Sequence, residues 1–412
     1  MTKHSTLLTP VLLAGCVIIA ISFGIRCSFG IFQIPISQDF NWLRSEYSLA
    51  LAIQNLGWGL GQPIFGAIAD KFGDRRTIFG GAAVYAVGLV LSSNAILPIE
   101  HQMYSLFIGF GIAGTGFGVI LAVVGRSSSA ANRSMSLAIA TAAGSGGQVV
   151  GPPLTEYLLS VLSWQAVFVY FAVIVMATMV MLPLMHSPKA AQRAAADEQM
   201  TDVLWRALRD PSFIMIFVGF FSCGYQLAFI TSHFPAFITE MCGPIATTGL
   251  LHSIGITTTS ALGAVAISLI GLANIIGTIS AGWLGNRYSK KYLLAGIYTG
   301  RTVILTAFIV NPMTPESVLL FSALMGSLWL ATVPLTSGLI AHLYGVRFMG
   351  TLYGLVFFSH QLGAFFGVWL GGRMFDLYGD YTAVWWIGIG VGALSAVVHL
   401  PIQETRNDAT PA

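Results

Sequence analysis

Apolar stretches of about twenty residues recur along the whole 412-residue chain, joined by short polar segments. About twenty helical residues rise about 30 Å, the thickness of a bilayer's hydrocarbon core. Inside hydrocarbon, every backbone N–H and C=O has to find its partner within the chain, so each stretch is expected to be a helix. We place spans near 9–34, 47–68, 77–96, 103–125, 134–161, 165–186, 211–238, 256–285, 292–311, 317–341, 349–371 and 382–402. The chain is 55% hydrophobic and 8% charged. Soluble domains carry about 25% charged residues, so a soluble globular class is excluded. The expected fold is an all-α membrane protein with twelve transmembrane helices. From Val11 onward the first stretch lacks a small-residue cleavage site and reads as a retained span. Cys16, Cys27, Cys223 and Cys242 lack metal or redox spacing and read as small packing residues.

Basic residues fix the orientation. With the N-terminus inside, one side holds Lys3, Lys71, Arg75, Arg76, Arg126, Arg133, Lys189, Arg193, Arg206, Arg209, Arg287, Lys290, Lys291, Arg347 and Arg406. The opposite side holds Arg44 and Arg373. The chain is therefore expected to be a multi-pass protein of the cytoplasmic (inner) membrane with both termini in the cytoplasm. The long polar segment Ser187–Asp210 joins spans 6 and 7, and its "DVLWRALRD" run predicts a short amphipathic helix on the membrane surface.

Two further arginines lie inside apolar runs: Arg26 within Val11–Ile34 and Arg301 within Tyr292–Val310. A cation at mid-bilayer costs roughly 2.5–3.5 kcal/mol on insertion scales. No Asp or Glu lies near the middle of any apolar span; Glu156 comes nearest, towards the end of its own. The missing partner is then an anion that comes and goes. The other reading is structural: either guanidinium reaches helix-end carbonyls or polar neighbours.

The two halves of the chain repeat each other. Arg26, Phe29, Gln33 and Pro35 in span 1 match Gln226, Phe229, His233 and Pro235 in span 7. After span 2 comes Gly66-Ala-Ile-Ala-Asp70-Lys71-Phe-Gly73-Asp74-Arg75-Arg76, and after span 8 comes Gly282-Trp-Leu-Gly-Asn286-Arg287-Tyr-Ser-Lys290-Lys291. Duplication implies two pseudo-symmetric six-helix bundles, 1–186 and 211–412, joined by a cytoplasmic linker, 187–210, with a site between them near the midplane.

The segment Gly66–Arg76 resembles the G-x-x-x-D-[RK]-x-G-x-[RK]-[RK] loop of the major facilitator superfamily, and it falls between spans 2 and 3 with a weaker copy between spans 8 and 9. The resemblance covers nearly the whole chain. It implies that Asp70, Lys71, Arg75, Arg76, Asn286 and Arg287 act as a cytoplasmic gate. Gly147-Gln-Val-Val-Gly151-Pro152 in span 5 resembles part of a motif of exchangers in that superfamily, without its trailing glycine pair; its physical minimum is close helix packing and a bend. Within the superfamily, the chain is similar to bacterial relatives of the monocarboxylate transporters and of the oxalate–formate exchangers. The similarity lies in the Arg-bearing span 1, "YLLAGIYTGR" leading into span 9 and "GTLYGLVFFSHQLGAFFG" in span 11. The pattern also departs from those families. Monocarboxylate transporters carry an Asp, and four residues later an Arg, in span 8, where this chain has Asn274 and Thr278. The span-11 Lys of oxalate–formate exchangers corresponds to His360. The span-1 Lys of the monocarboxylate family is absent, with Arg26 about one turn earlier.

The resemblance implies that spans 1, 2, 7, 8 and 11 line a central cavity. Candidate substrate-binding residues are accordingly Arg26, Gln33, Gln54, Asn55, Gln226, His233, Asn274, Arg301, His360 and Gln361. An arginine binds a carboxylate through two parallel hydrogen bonds. Span 9 usually belongs to the outer ring, so Arg301 is as readily structural. His360 and His233 are the candidate proton carriers, since an unperturbed imidazole titrates near physiological pH. The neutral polar residues are equally suited to glue between membrane helices.

These features imply a secondary transporter of a small organic anion, monocarboxylate or dicarboxylate, coupled to protons or to a counter-anion and acting as a monomer in the lipid bilayer. The in-class alternative is an exporter of another solute or drug. The out-of-class alternative is a non-transporting receptor. No catalytic constellation, phosphate-cradling glycine loop, metal-ligand spacing or nucleic-acid signature stands out, so an enzyme, a cofactor, a metal and a nucleic-acid partner are not expected.

Overall fold

Thr9 sets where the first span begins. Its hydroxyl oxygen accepts from the Leu12 N–H at 3.2 Å, and Pro10 takes the first helical position, where a missing N–H loses no bond. The computed structural model describes residues 7–129, 132–186, 200–344 and 349–404. Lys3, Lys189, Arg193, Arg347 and Arg406 fall outside the described residues. Among those described, regular structure is helical throughout.

Twelve passes follow in chain order. α1 (Pro10–Ser28) runs through a 3-10 turn, Phe29–Phe32, into α2 (Gln33–Phe40). The span therefore reaches Phe40 and not only residue 34. Pro35 is accommodated in the first turn of α2, just after the tight turn, where its absent N–H is least needed. Asn41, in the left-handed region at φ 52°, ends it. Then come α3 (Arg44–Phe72), α4 (Asp74–Ser93), α5 (Pro98–Thr115) with α6 (Phe117–Ser127), α7 (Arg133–Val161) and α8 (Trp164–Ala177) with a 3-10 tail to Leu184. α9 (Met200–Arg209) is the expected amphipathic helix: Val203 and Ala207 are buried, and Trp205 is exposed under the Arg209 guanidinium. The second series is α10 (Pro211–Met241), a short α11 (Leu250–Ser253), α12 (Thr259–Gly285), α13 (Lys290–Val310), α14 (Pro315–Ser327) with α15 (Thr332–Tyr344), α16 (Met349–Tyr378) and α17 (Thr382–His399).

Ten of these passes are long and apolar enough to cross a membrane by composition. The other two, α3 and α7, are 29 residues each and carry Gln54, Asn55 and Gln62, or Ser145, Gln148 and Glu156. These two also pack across the halves of the chain, α3 on α16 and α7 on α12. Polar side chains are thus concentrated where the halves touch. Within the first half, α1 crosses α7 on glycines. A Cβ on Gly147 would stand 1.9 Å from the Ala20 carbonyl oxygen, and one on Gly151 would stand 2.4 Å from the Gly24 oxygen. Only a missing side chain permits that approach.

Spans 4 and 10, equivalent in the repeat, are both broken. Gly116 interrupts α5 and α6, and Leu328–Ala331 interrupts α14 and α15. The sequence expectation had both as continuous helices.

Odd-numbered spans run from the end carrying Arg75, Arg126 and Arg287, here the basic face, to the end carrying Arg44. The loop copies do equivalent work on the basic face. Arg75 donates to the Met185 carbonyl at 3.2 Å and to the Pro183 carbonyl. Lys291, its counterpart, donates to the Ile402 carbonyl at 2.8 Å. Each ties the start of one span to the end of its own half. Asp74 takes a hydrogen bond from Arg126 at 2.6 Å, and Arg287 lies 3.9 Å over the Trp283 ring. Lys71 sits over Phe72, while Arg76 and Asn286 are exposed. Asp70 is on α3, and its side chain falls outside what is described.

Candidate functional site

Arg26 sits in the middle of its span between buried Ile25 and Cys27, yet is itself only half-buried. A residue that is not fully buried at that depth borders a gap between the helices. Its Nη2 donates to Asn55 Oδ1 at 3.2 Å, and Nε has no partner. Its guanidinium carbon lies 4.8 Å from the Trp58 ring centre and 5.4 Å from that of Phe23. Aromatic faces stabilise the cation and hold its plane without neutralising it. Among the described residues, Arg26 forms no ion pair.

From Arg26 the aromatic wall crosses to the second half. Trp58 meets Phe357 edge-on at 5.1 Å, and Phe357 stacks on His360 at 5.6 Å. His360 Nδ1 has no partner, and the imidazole lies within electrostatic reach of both Arg26 and Arg301. Gln361 is buried with both amide atoms unpaired, and a Cβ on Gly59 would touch its side chain at 2.7 Å. Gln54 joins Arg26 and Asn55 around a residual cavity of about 10 Å³, closed by Phe29, Gly30, Leu51, Thr231 and Ser232. That is room for one water at most.

On the Arg44 side of this cavity the halves are bolted together. Gln33 Nε2 donates to His233 Nδ1 at 3.2 Å and to Ser48 Oγ at 3.0 Å, and His233 Nε2 donates to the Val368 carbonyl at 2.8 Å. Asp376 on α16 accepts from the Arg44 and Ser45 N–H groups, each at 2.9 Å, and so caps α3 from the other half. Arg44 also pairs with Glu240. A cleft of about 290 Å³ beside this seal is bordered by Pro35, Glu156, Pro235 and Thr239. The charge contacts of the basic face described above stay within one half. The arrangement is therefore sealed towards Arg44.

Three candidates lie away from Arg26. Gln226, its repeat counterpart, donates to the Gly388 carbonyl at 2.9 Å. Asn274 is fully buried; it donates to Ser145 Oγ at 2.9 Å and accepts from the Leu330 N–H at 2.9 Å, tying span 5 to the break in span 10. Arg301 is 0% exposed. Its Nε and Nη2 donate to the Leu328 carbonyl at 3.2 and 2.7 Å, and Nη2 also reaches the Trp329 carbonyl. Those carbonyls are left free because the helix stops there. Nη1 is unpaired.

The model of the Major Facilitator Superfamily matches residues 14–266 and 237–412. The chain belongs to that superfamily. It is a multi-pass membrane transporter and not an enzyme. Among curated relatives it is 25% identical over 387 residues to the uncharacterized MFS-type transporter YcxA of Bacillus subtilis (strain 168), covering 91% of this chain and 90% of that one. It is 24% identical over 383 residues to monocarboxylate transporter 13 of Bos taurus, covering 88% and 82%. Of solved structures, the inward-open xylose transporter XylE from E. coli superposes with a TM-score of 0.72 at 14% identity, covering 97% of each chain. The D-xylose-proton symporter gives 0.70 at 16%, covering 96% and 99%. These structures share the fold.

For this superfamily member, sequence reasoning missed the seal itself: Arg44, Ser48, Glu240 and Asp376. Arg44 and Asp376 are 332 residues apart, and charges at span ends carry no sign of their partners. It also missed Trp58, Phe23 and Phe357 as the setting of the central charge, since aromatic residues fill this chain.

Proposed function

We propose that this transporter moves small organic anions across the cytoplasmic membrane by alternating access, with Arg26 holding a carboxylate. The observation that carries this reading is an incompletely buried guanidinium at mid-bundle that, among the described residues, forms no ion pair and donates to the neutral amide of Asn55. Asn55 steadies it, Trp58 and Phe23 fix its plane, and Gln54 and Gln361 supply neutral hydrogen bonds. The relatives named monocarboxylate transporters support the substrate class. The bundles 1–186 and 211–412 rock about this site while the linker 187–210 joins them. The bias of basic residues puts the basic face and both termini in the cytoplasm. The seal at Gln33, His233 and Arg44 then shuts the outer side. The loops around Asp70, Lys71, Arg75 and Arg76, and around Asn286 and Arg287, form the inner gate in the opposite conformation. A proton travels on His360 or on the anion, or a second anion is exchanged, and one chain suffices as the working unit. His233 is the lesser candidate for the proton, because both of its nitrogens are already satisfied.

Arg26→Gln tests the reading. Purified and reconstituted, the variant is expected to insert and fold normally but to lose carboxylate counterflow by at least tenfold. Unchanged rate and affinity would make Arg26 structural and end the proposal.

A further inference from the structure

We infer that the anion carries a single carboxylate on a flat aromatic ring. This rests on the anion reading of Arg26 and narrows it. Charge comes first. Among the described residues two cations are embedded in the bundle, and of these Arg26 is the incompletely buried one. Arg301 is wholly buried, and two of its three nitrogens are committed to the carbonyls at Leu328 and Trp329. A second carboxylate would enter the bundle without an accessible cation, and burying an unpaired charge is costly.

The walls come second. Phe117 meets Phe23 edge-on at 5.0 Å, as Phe357 meets Trp58 at 5.1 Å, so each ring against the guanidinium is backed by a second one. Phe117 and Phe357 are half-buried although both lie deep in their spans. Both lie towards the basic face from Arg26 along their spans, whereas on its other side the cavity at Arg26 narrows to about 10 Å³ against Phe29, Gly30, Leu51, Thr231 and Ser232. The body of an anion bound at Arg26 therefore extends between them. Edge-to-face and offset stacking reward a flat ring there, each good pair by about two- to tenfold in affinity. A two-carbon acid would reach the guanidinium and leave both rings unused.

The test is calorimetric titration of the purified full chain in detergent with benzoate, acetate, succinate and phthalate. Benzoate is expected to bind about tenfold or more tighter than acetate, and succinate and phthalate more weakly than benzoate. In Trp58→Leu and, independently, Phe357→Leu, the benzoate-to-acetate affinity ratio is expected to fall about two- to tenfold. Two variants guard against one that fails to fold. Acetate or succinate binding as tightly as benzoate would overturn this inference while leaving the anion reading intact. Phthalate matching benzoate would overturn the single-carboxylate part. Binding of none of the four to folded protein would overturn both readings.

Discussion

Gln33 and His233 stand 200 residues apart, hold the same place in the two repeats, and hydrogen-bond to each other at 3.2 Å. Equivalent positions meet only on the pseudo-twofold axis, so this pair marks where the axis passes through the seal. The bond also fixes the proton positions. His233 Nε2–H is spent on the Val368 carbonyl, which leaves Nδ1 to accept from the Gln33 amide. A neutral imidazole thus has both ring nitrogens satisfied in the seal.

Replacing His233 by Ala leaves the Gln33 amide and the Val368 carbonyl buried with less to bond. An unmet buried group costs about 1–3 kcal/mol, and for the Gln33 amide, which meets His233 across the halves, that cost falls on the sealed state. The variant should spend about five- to a hundredfold more time open on the Arg44 face. Labelling of Thr231→Cys by an impermeant maleimide, in a background freed of the four native cysteines, reads this opening. Unchanged labelling in a folded variant would refute the role of the pair.

Two glycines allow the same added methyl to ask different questions. A Cβ on Gly30 would lie 2.2 Å from the Thr231 carbonyl oxygen, across the halves. A Cβ on Gly147 would lie 1.9 Å from the Ala20 oxygen, within the first half. Gly147→Ala should therefore lower the melting temperature of the protein itself. Gly30→Ala should leave melting nearly unchanged and increase access from the Arg44 face, because the clash exists in one conformation only. Equal melting losses for both would show that the Gly30 contact belongs to the fold and not to the seal.

The spans were legible because hydrocarbon imposes length, apolarity and internal hydrogen bonding together, and a run such as Trp164–Leu184 satisfies all three. Arg26 was legible as a charge with no counter-charge in the sequence near it. The breaks at Gly116 and Leu328 were not. With 46 glycines in the chain, one glycine in a span does not single out a break. Arg301 looked like Arg26 for that reason: its carbonyl partners exist only because span 10 stops. Asn274 read as a cavity residue because an amide looks alike whether it meets a ligand or, as here, a hydroxyl and a freed N–H.

Arg301→Met removes the guanidinium hydrogen bonds to the Leu328 and Trp329 carbonyls at the break in span 10. Leaving the Leu328 and Trp329 carbonyls unmet should cost a few kcal/mol in total, at about 1–3 kcal/mol per group. The expected result is a melting temperature lowered by several degrees with carboxylate affinity retained within a few-fold. Arg301→Lys should recover part of the stability. A collapse of affinity at unchanged melting temperature would instead make Arg301 a ligand of the anion.

His360 is nearly buried, stacks on Phe357, keeps Nδ1 unpaired and lies in the field of both arginines. A carboxylate arriving at Arg26 cancels part of that field. Anion binding and protonation of the imidazole then assist each other, and by linkage the factor is the same in both directions. The sign follows: anion affinity should rise as pH falls, and a proton should accompany each anion carried. Glutamine keeps the hydrogen-bonding capacity but cannot take the proton. His360→Gln should therefore retain anion exchange at symmetric pH and lose acceleration by an imposed inward proton gradient. Both halves of the experiment use the same reconstituted vesicles, first with equal pH and then with a pH step. Full pH-driven accumulation by the variant would remove His360 from the proton path and leave the anion to bring its own proton.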